Sequence, residues 1–330
     1  MREPAFWWRA AGPAAALLAP AAALYGTAAA RRMARSGAQA GVPVICAGNF
    51  TLGGTGKTPT AIMLAKMLAE AGERPFCLSR GYGGSEPGPK LVEPKSDSAA
   101  QVGDEALLLA RSAPTVIARE RTAGAALANA RGASVIVMDD GLQNASLAKN
   151  WTLAVIDGRR GTGNGRVFPA GPLRAPLDAQ LARCDALLVV GDGEAAREVT
   201  TRTPSLPVYH GRLTPDLSAL GDLKARNLFA FAGIGDAEKF FATARAAGLA
   251  LARCQAFPDH HRFTAEESAA LITQAEHEGL ALLTTEKDRA RMTGDPRNEA
   301  LAARVHVLPV RMEIREAGAL RAAVLKAVQR

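Results

Sequence analysis

Short apolar runs near residues 42–46, 75–79, 115–118, 134–139, 151–157 and 185–191 are almost free of polar interruption. A strand exposed on one face alternates, so these runs predict strands covered on both faces. Between them apolar residues recur at helical spacing, as with Ile62, Leu64, Ala65 and Leu68, and again across 104–111, 122–131 and 177–184. Strand and helix in alternation predict a mostly parallel α/β sheet. Residues 85–102 are polar and rich in Pro and Gly, and predict a flexible loop. The texture changes near residue 195. An extended stretch ends near 213, a connector covers 215–226, and a second, smaller α/β unit starts with the strand 228–233. Asp236 caps a helix running to Gly248, Thr264 and Glu267 form a capping box for a helix to Gly279, and strands are expected at 249–258 and 280–285. The stretch 305–314 is extended and the last sixteen residues are helical. The extended segments near Val208 and Val310 predict a two-stranded connection between the units.

Residues 1–35 stand apart. The 21 positions between Arg9 and Arg31 carry no charge, roughly 30 Å as helix, about the thickness of a bilayer core. Phe6, Trp7, Trp8 and Tyr25 predict interfacial aromatics, and Arg31, Arg32 and Arg35 a basic flank. A cleaved signal peptide, a full span and an in-plane anchor all fit this pattern. A cleaved leader conflicts with the nucleotide chemistry that follows.

The 330 residues are enough for two domains. A net charge of +8 points to anionic partners. With 5% aromatics and no basic run interleaved with them, nucleic acid is the weakest of these. Cys46, Cys77, Cys184 and Cys254 share no CxxC spacing and read as buried free thiols.

The candidate chemistry concentrates after the first strand, in GNFTLGGTGKTP. Gly53, Gly54, Thr55, Gly56, Lys57 and Thr58 lie between an apolar strand and an amphipathic helix. Such a loop turns backbone N–H groups around an anion at the positive end of a helix, with the lysine reaching the β- and γ-phosphates and the threonine hydroxyl on Mg²⁺. The strict pattern has Gly where this chain has Thr51, so Gly48, Gly53 and Gly54 are expected to supply the unusual dihedrals. Leu52 stands where partitioning ATPases carry an additional lysine. The strand 134–139 ends in Asp139-Asp140, a second Mg²⁺-handling signal. The loop SRGYGG offers Arg80 and Tyr82 at a strand's carboxyl end, where open parallel sheets bind ligands. Asp104 and Glu105 open a helix, and the long loop 158–176 is dense in Gly, Pro and Arg. A guanine motif of the NKxD kind is missing, since Thr285-Glu286-Lys287-Asp288 has the wrong spacing. ATP is therefore expected.

GNFTLGGTGKTP, SRGYGG, GDE, DDGLQ, GNG…PAGPLR and FPDHH, in that order over roughly residues 5–315, resemble the tetraacyldisaccharide 4′-kinases of lipid A synthesis. The resemblance implies transfer of the ATP γ-phosphate to the 4′-hydroxyl of an acylated glucosamine disaccharide 1-phosphate, at the cytoplasmic face of the bacterial inner membrane. It implies no nucleic acid and no required protein partner. It makes Asp104 the catalytic carboxylate, with His260 as its partner and Lys57 on the phosphates; from spacing alone, His260-His261 reads as a domain-edge pair. Thr58, Asp139 and Asp140 would handle Mg²⁺. Arg80, Tyr82, Glu105, Arg121, Gln143, Asn144 and Arg174 are the candidates for binding substrate. The chain departs from the family pattern at Ala106, Asn144 and Ala175, where Pro, His and Glu are usual.

The expected architecture is a P-loop NTPase core with a mostly parallel sheet, a smaller α/β domain on a two-stranded linker, and an apolar N-terminal membrane helix. The expected boundaries are 1–35 for the helix, 36–210 for the core, 211–227 for the linker, 228–304 for the smaller domain and 305–330 for the return strand and a helix on the core. The alternatives are a membrane-associated P-loop ATPase or switch coupled to a protein partner, and a kinase for another hydroxyl substrate.

Overall fold

A computed structural model describes residues 3–216, 218 and 223–329. Its larger sheet is built from β1 (Val44–Gly48), β2 (Pro75–Ser79), β3 (Lys90–Leu91), β4 (Thr115–Ile117), β5 (Val135–Asp139), β6 (Trp151–Asp157), β7 (Ala186–Val190) and β8 (Val208–Pro215). The smaller sheet holds β9 (Asn227–Ala232), β10 (Ala250–Ala256), β11 (Ala281–Thr284) and β12 (His306–Val307), and β13 (Val310–Ile314) returns to the larger one. Among the described residues the spatial orders are β13-β8-β7-β6-β1-β5-β2-β4-β3 and β10-β9-β11-β12. All pairs are parallel except β13–β8 and β3–β4 at the two edges.

Every residue of β1, β5 and β6 is buried, because helices cover both faces of the sheet. On one face the helix Lys57–Glu70 sets Ala61, Leu64, Ala65 and Leu68 against Ile45, Val135, Val137 and Val155, with Leu320 and Val324 of the C-terminal helix in the same cluster. Cutting Leu64 to Ala there should cost about 2–5 kcal/mol. On the other face Ala125 and Ala128 of the helix Arg121–Ala130 pack on Cys46, Ile136 and Met138. This sandwich fixes the carboxyl ends of β1 and β5 side by side, with Ala47 in register with Asp139.

Three expectations are corrected. The stretch 85–102 is not a bare loop: it contains β3 and a helical turn, Ala99–Val102, whose start Ser98 and Gln101 cap reciprocally. The pairing of β8 with β13 is as expected, but β8 also pairs with β7, so the connection is an extension of the main sheet. The connector expected at 215–226 includes residues 217 and 219–222, which lie outside the described residues.

The N-terminus differs from expectation as well. No helix among the described residues is long and apolar enough to cross a membrane. The segment breaks into Pro13–Leu17 and Ala19–Met33, with Pro20 in the first turn of the second helix, where its missing N–H is harmless. One stripe, Ala15, Ala22, Gly26, Ala29 and Met33, is buried, and Ala29 and Met33 pack on Ala175. Trp7 is buried rather than interfacial: its indole donates to the Pro169 carbonyl at 3.1 Å and its ring meets Phe168 edge-on. Trp8 lies under the Arg160 guanidinium and donates to Glu3. These aromatics fasten the N-terminus to the 158–176 loop. The cysteines are free as expected, with Cys254 only half-buried.

Candidate active site

The loop after β1 has the backbone shape of an anion cradle. Gly53 and Gly56 take positive φ, 100° and 93°, where a side chain is strained. Gly48 and Gly54 do not, contrary to the expectation from the motif. Gly48 is needed for space instead, since a Cβ there would stand 2.5 Å from Cβ of Leu142. Gly56 caps the helix Lys57–Glu70, which aims its positive end at the loop. Lys57 Nζ donates to the Gly53 carbonyl at 3.3 Å and lies 3.9 Å from Asp140 Oδ1. Burial lowers its pKa.

At the end of β5, the Thr58 hydroxyl donates to Asp139 Oδ2 at 3.3 Å. Asp139 is 1% exposed. Burial, with the charges of Glu105 and Asp140 added, pushes its carboxyl up to about 7. Its Oδ1 is buried without a hydrogen-bond partner, which is costly unless something occupies it. A hydroxyl and an idle carboxylate oxygen are the hard oxygen donors Mg²⁺ takes. Among the described residues no cluster of three His, Cys, Asp or Glu forms an all-protein cage. The residues fit a Mg²⁺ that shares its shell with phosphate and water. Asp140 is differently engaged: Nη1 of Arg174 donates to both its oxygens at 2.9 Å, while Arg174 Nε donates to the Thr51 carbonyl. Burial would raise Asp140, but Lys57 and Arg174 outweigh it and hold its pKa at about 2.

Asp104 sits in the first turn of the helix Asp104–Ala110, after Gly103, and is 3% exposed. Its Oδ2 is 3.4 Å from His260 Nδ1 and 3.6 Å from Arg291 Nη1. Burial works to raise its pKa, and the His260 contact with the charges of Lys287 and Arg291 overcomes it, leaving about 2. The same contact raises His260 above its ordinary 6.5. Lys287 Nζ meets Glu105 Oε1 at 2.6 Å. Arg262 donates to the Gly83 carbonyl at 2.7 Å, and Lys239 reaches Asp157 at 2.9 Å, so the smaller lobe grips the core on both sides of the cradle. Among the described residues the two non-glycine positions with positive φ are Asp140 (54°) and His260 (55°). Backbone strain of that kind collects at functional sites.

A cleft of about 1620 Å³ joins these groups, lined by Lys57, Thr58, Asp139 and His260 among others, and it extends to Phe168, Tyr25 and Arg32 beside the N-terminal helix. Arg80 and Arg121 line it too, and burial with Arg80 alongside lowers Arg121 to about 10. Tyr82 is exposed and its ring meets that of His260 edge-on at 5.3 Å. Gln143 and Asn144 also face the cleft, but their side chains bond to neighbouring protein groups. Gln143 donates to the Asn49 carbonyl and Gln180, and Asn144 accepts from Ser146. Two of the three departures lie in packed surroundings: Ala106 is buried in the core, and Ala175 packs with Ala29 and Met33; nothing in the structure explains Asn144. The motifs gave no role to Glu3, Arg160, Lys287 or Arg291. Their contacts join residues far apart in sequence, 182 positions for Glu105–Lys287.

A phosphate cradle on a parallel sheet, an acidic strand end beside it and a buried carboxylate–histidine pair define a phosphotransferase of the P-loop class. A family model described as Tetraacyldisaccharide-1-P 4'-kinase matches residues 14–329. The Tetraacyldisaccharide 4'-kinase of Rhodopseudomonas palustris (strain BisB5) is 53% identical over 330 residues, with 99% of this chain and 97% of that protein covered. The one of Methylobacterium sp. (strain 4-46) is 56% identical over 317 residues, covering 95% and 93%. The crystal structure of the "apo" form LpxK from Aquifex aeolicus in complex with ATP superposes with a TM-score of 0.73 at 26% identity, covering 95% of this chain and 99% of that one. The chain belongs to the tetraacyldisaccharide-1-P 4′-kinase family.

Proposed function

We propose that this chain transfers the γ-phosphate of ATP to the 4′-hydroxyl of a tetraacyldisaccharide 1-phosphate, giving the 1,4′-bisphosphate, at the cytoplasmic face of a bacterial inner membrane. The observation that carries the reading is Asp104, paired with His260, beside the cleft that Lys57, Thr58 and Asp139 line. A sugar hydroxyl is a weak nucleophile, and a positioned carboxylate accepts its proton as the new bond forms. Asp104 has that role, and His260 orients it. The Gly53–Thr58 backbone and the helix N-terminus behind it hold the phosphates. Lys57, now between the Gly53 carbonyl and Asp140, would meet the phosphates. Mg²⁺, when bound, neutralises charge on the phosphoryl oxygens. Thr58 and Asp139 Oδ1 would hold it, with Asp140 adding charge while Arg174 fixes its position.

Arg80, Arg121 and Tyr82 are assigned to the substrate, since a guanidinium fork suits a phosphate monoester; Glu105, Gln143 and Asn144 shape the wall around it. The acyl chains are assigned to the membrane side, along the N-terminal helix. Leu17 and Leu24, 83% and 77% exposed, face outward there with Tyr25, and Arg31, Arg32 and Arg35 follow at the helix end. Apolar outward side chains with a basic flank suit an anionic bilayer surface. No nucleic acid and no protein partner are required. Incubation with labelled ATP, Mg²⁺ and the acylated disaccharide 1-phosphate should give labelled lipid, and none with Lys57→Ala. Hydrolysis stimulated by a protein, without labelled lipid, would favour the switch reading instead.

A further inference from the structure

Thr285-Glu286-Lys287-Asp288 fails as a guanine motif, yet the helix it opens, Glu286–Met292, reaches the active site from the smaller lobe. Its cations meet the first two residues of the helix Asp104–Ala110: Lys287 meets Glu105 at 2.6 Å, and Arg291 Nη1 lies 3.6 Å from Asp104 Oδ2. The Arg291 side chain is 6% exposed, and its Nη2 is anchored on Asp288 Oδ1 at 2.8 Å. Asp288 in turn accepts from the Gly233 N–H and the Thr285 hydroxyl. Burying an arginine costs several kcal/mol, and a seam built only for stability recovers this by completing its hydrogen bonds. Here the bonds are left open. Asp104 Oδ2, Arg291 Nη1 and Arg291 Nε are all buried without a partner, although Oδ2 and Nη1 face each other. The oxygen that would take the substrate's proton is thus flanked by two nitrogens, of His260 and Arg291, both beyond close bonding distance.

We propose that Arg291 and Lys287 are positioning residues for the base: the smaller lobe aims Asp104 and Glu105, so a competent base exists only where the two lobes meet. This rests on the reading of Asp104 as the base. Facing Asp104 are Glu105 on its own helix, His260 from the loop after β10, and Lys287, Asp288 and Arg291; Glu105 also faces Lys57 of the P-loop helix and Asp139 at the end of β5, and His260 faces Asp259.

The test compares Arg291→Met, Arg291→Lys, Lys287→Met and Asp104→Asn in lipid phosphorylation, with melting curves to check folding. Arg291→Met should lower kcat about tenfold or more and leave KM for ATP unchanged. Arg291→Lys should recover most of the loss. In Arg291→Met and Lys287→Met the acid decline of kcat should move to higher pH, because a carboxylate deprived of a neighbouring cation binds its proton more readily. Added to Asp104→Asn, Arg291→Met should cost nothing further. Wild-type kcat and pH profile in both Arg291→Met and Lys287→Met overturn the proposal, as does an equal loss in the Asp104→Asn background. Should Arg291→Met not fold, Lys287→Met, which leaves Asp288 paired, decides by kcat and pH profile. An Asp104→Asn enzyme of undiminished rate overturns the base reading itself, whatever the Arg291 variants do.

Discussion

Asp104 is buried and ionised at once, which is tolerable only because His260, Lys287 and Arg291 surround it. Asparagine keeps the shape and cannot accept the proton, so Asp104→Asn should lower kcat by about 10²-fold or more with cooperative melting retained; a steady-state rate and a melting curve check it. The pairing also makes a pH prediction. His260 has a folded pKa raised above its ordinary 6.5 by Asp104, so its contribution to stability is complete below 6.5 and fades as pH rises through the raised value. The Tm difference between the unaltered protein and His260→Gln should be largest in mild acid and close on the alkaline side. A constant difference across that range would show that the ring acts by packing alone. At this scale the position of the glycine turn before a helix was legible, because glycine, lysine and threonine stand there at fixed spacing, while the share of Gly48 and Gly54 in its unusual dihedrals was not. Lys287 and Arg291 were not: a cation in a polar helix has no sequence mark that says which carboxylate it will meet. Asp140 was legible as acidic, but its Arg174 partner arrives through the fold of a distant loop.

Among the elements, strands buried on both faces announced themselves by uninterrupted apolar runs, and Asp236 and Thr264 cap the helices they were expected to cap. The two-residue β3 left no pattern, being an edge strand too short to alternate. The N-terminal segment misled for a physical reason: alanine is uncharged enough to pass for a span, yet small enough to let a helix lie close on a protein surface. Here Ala22, Gly26 and Ala29 do so, with Gly26 close to Val167 and Pro176. Its outward side chains give a test. Leu17→Glu with Leu24→Glu should weaken co-sedimentation with anionic vesicles severalfold while Tm and ATP binding stay unchanged. Equal sedimentation would remove this face from the membrane account.

Across the whole molecule, the two sheets are joined by β8 and β13, and the smaller lobe reaches back to the core through Lys239–Asp157, Arg160–Asp236 and Lys287–Glu105. The change of texture near residue 195 precedes the strands of the smaller sheet, although β8 and β13 beyond it return to the larger one. Which faces meet was not legible, because contacts across a cleft depend on the path of the chain. A net charge of +8 suits a phosphorylated lipid on an anionic surface. The most direct test of the central claim, that ATP held at Gly53–Thr58 phosphorylates a lipid disaccharide, is to follow the label of γ-labelled ATP into the acylated disaccharide 1-phosphate with purified protein. The expected product is a labelled bisphosphate that requires Mg²⁺ and disappears in Lys57→Ala; labelled lipid formed at the same rate by Lys57→Ala would overturn that claim.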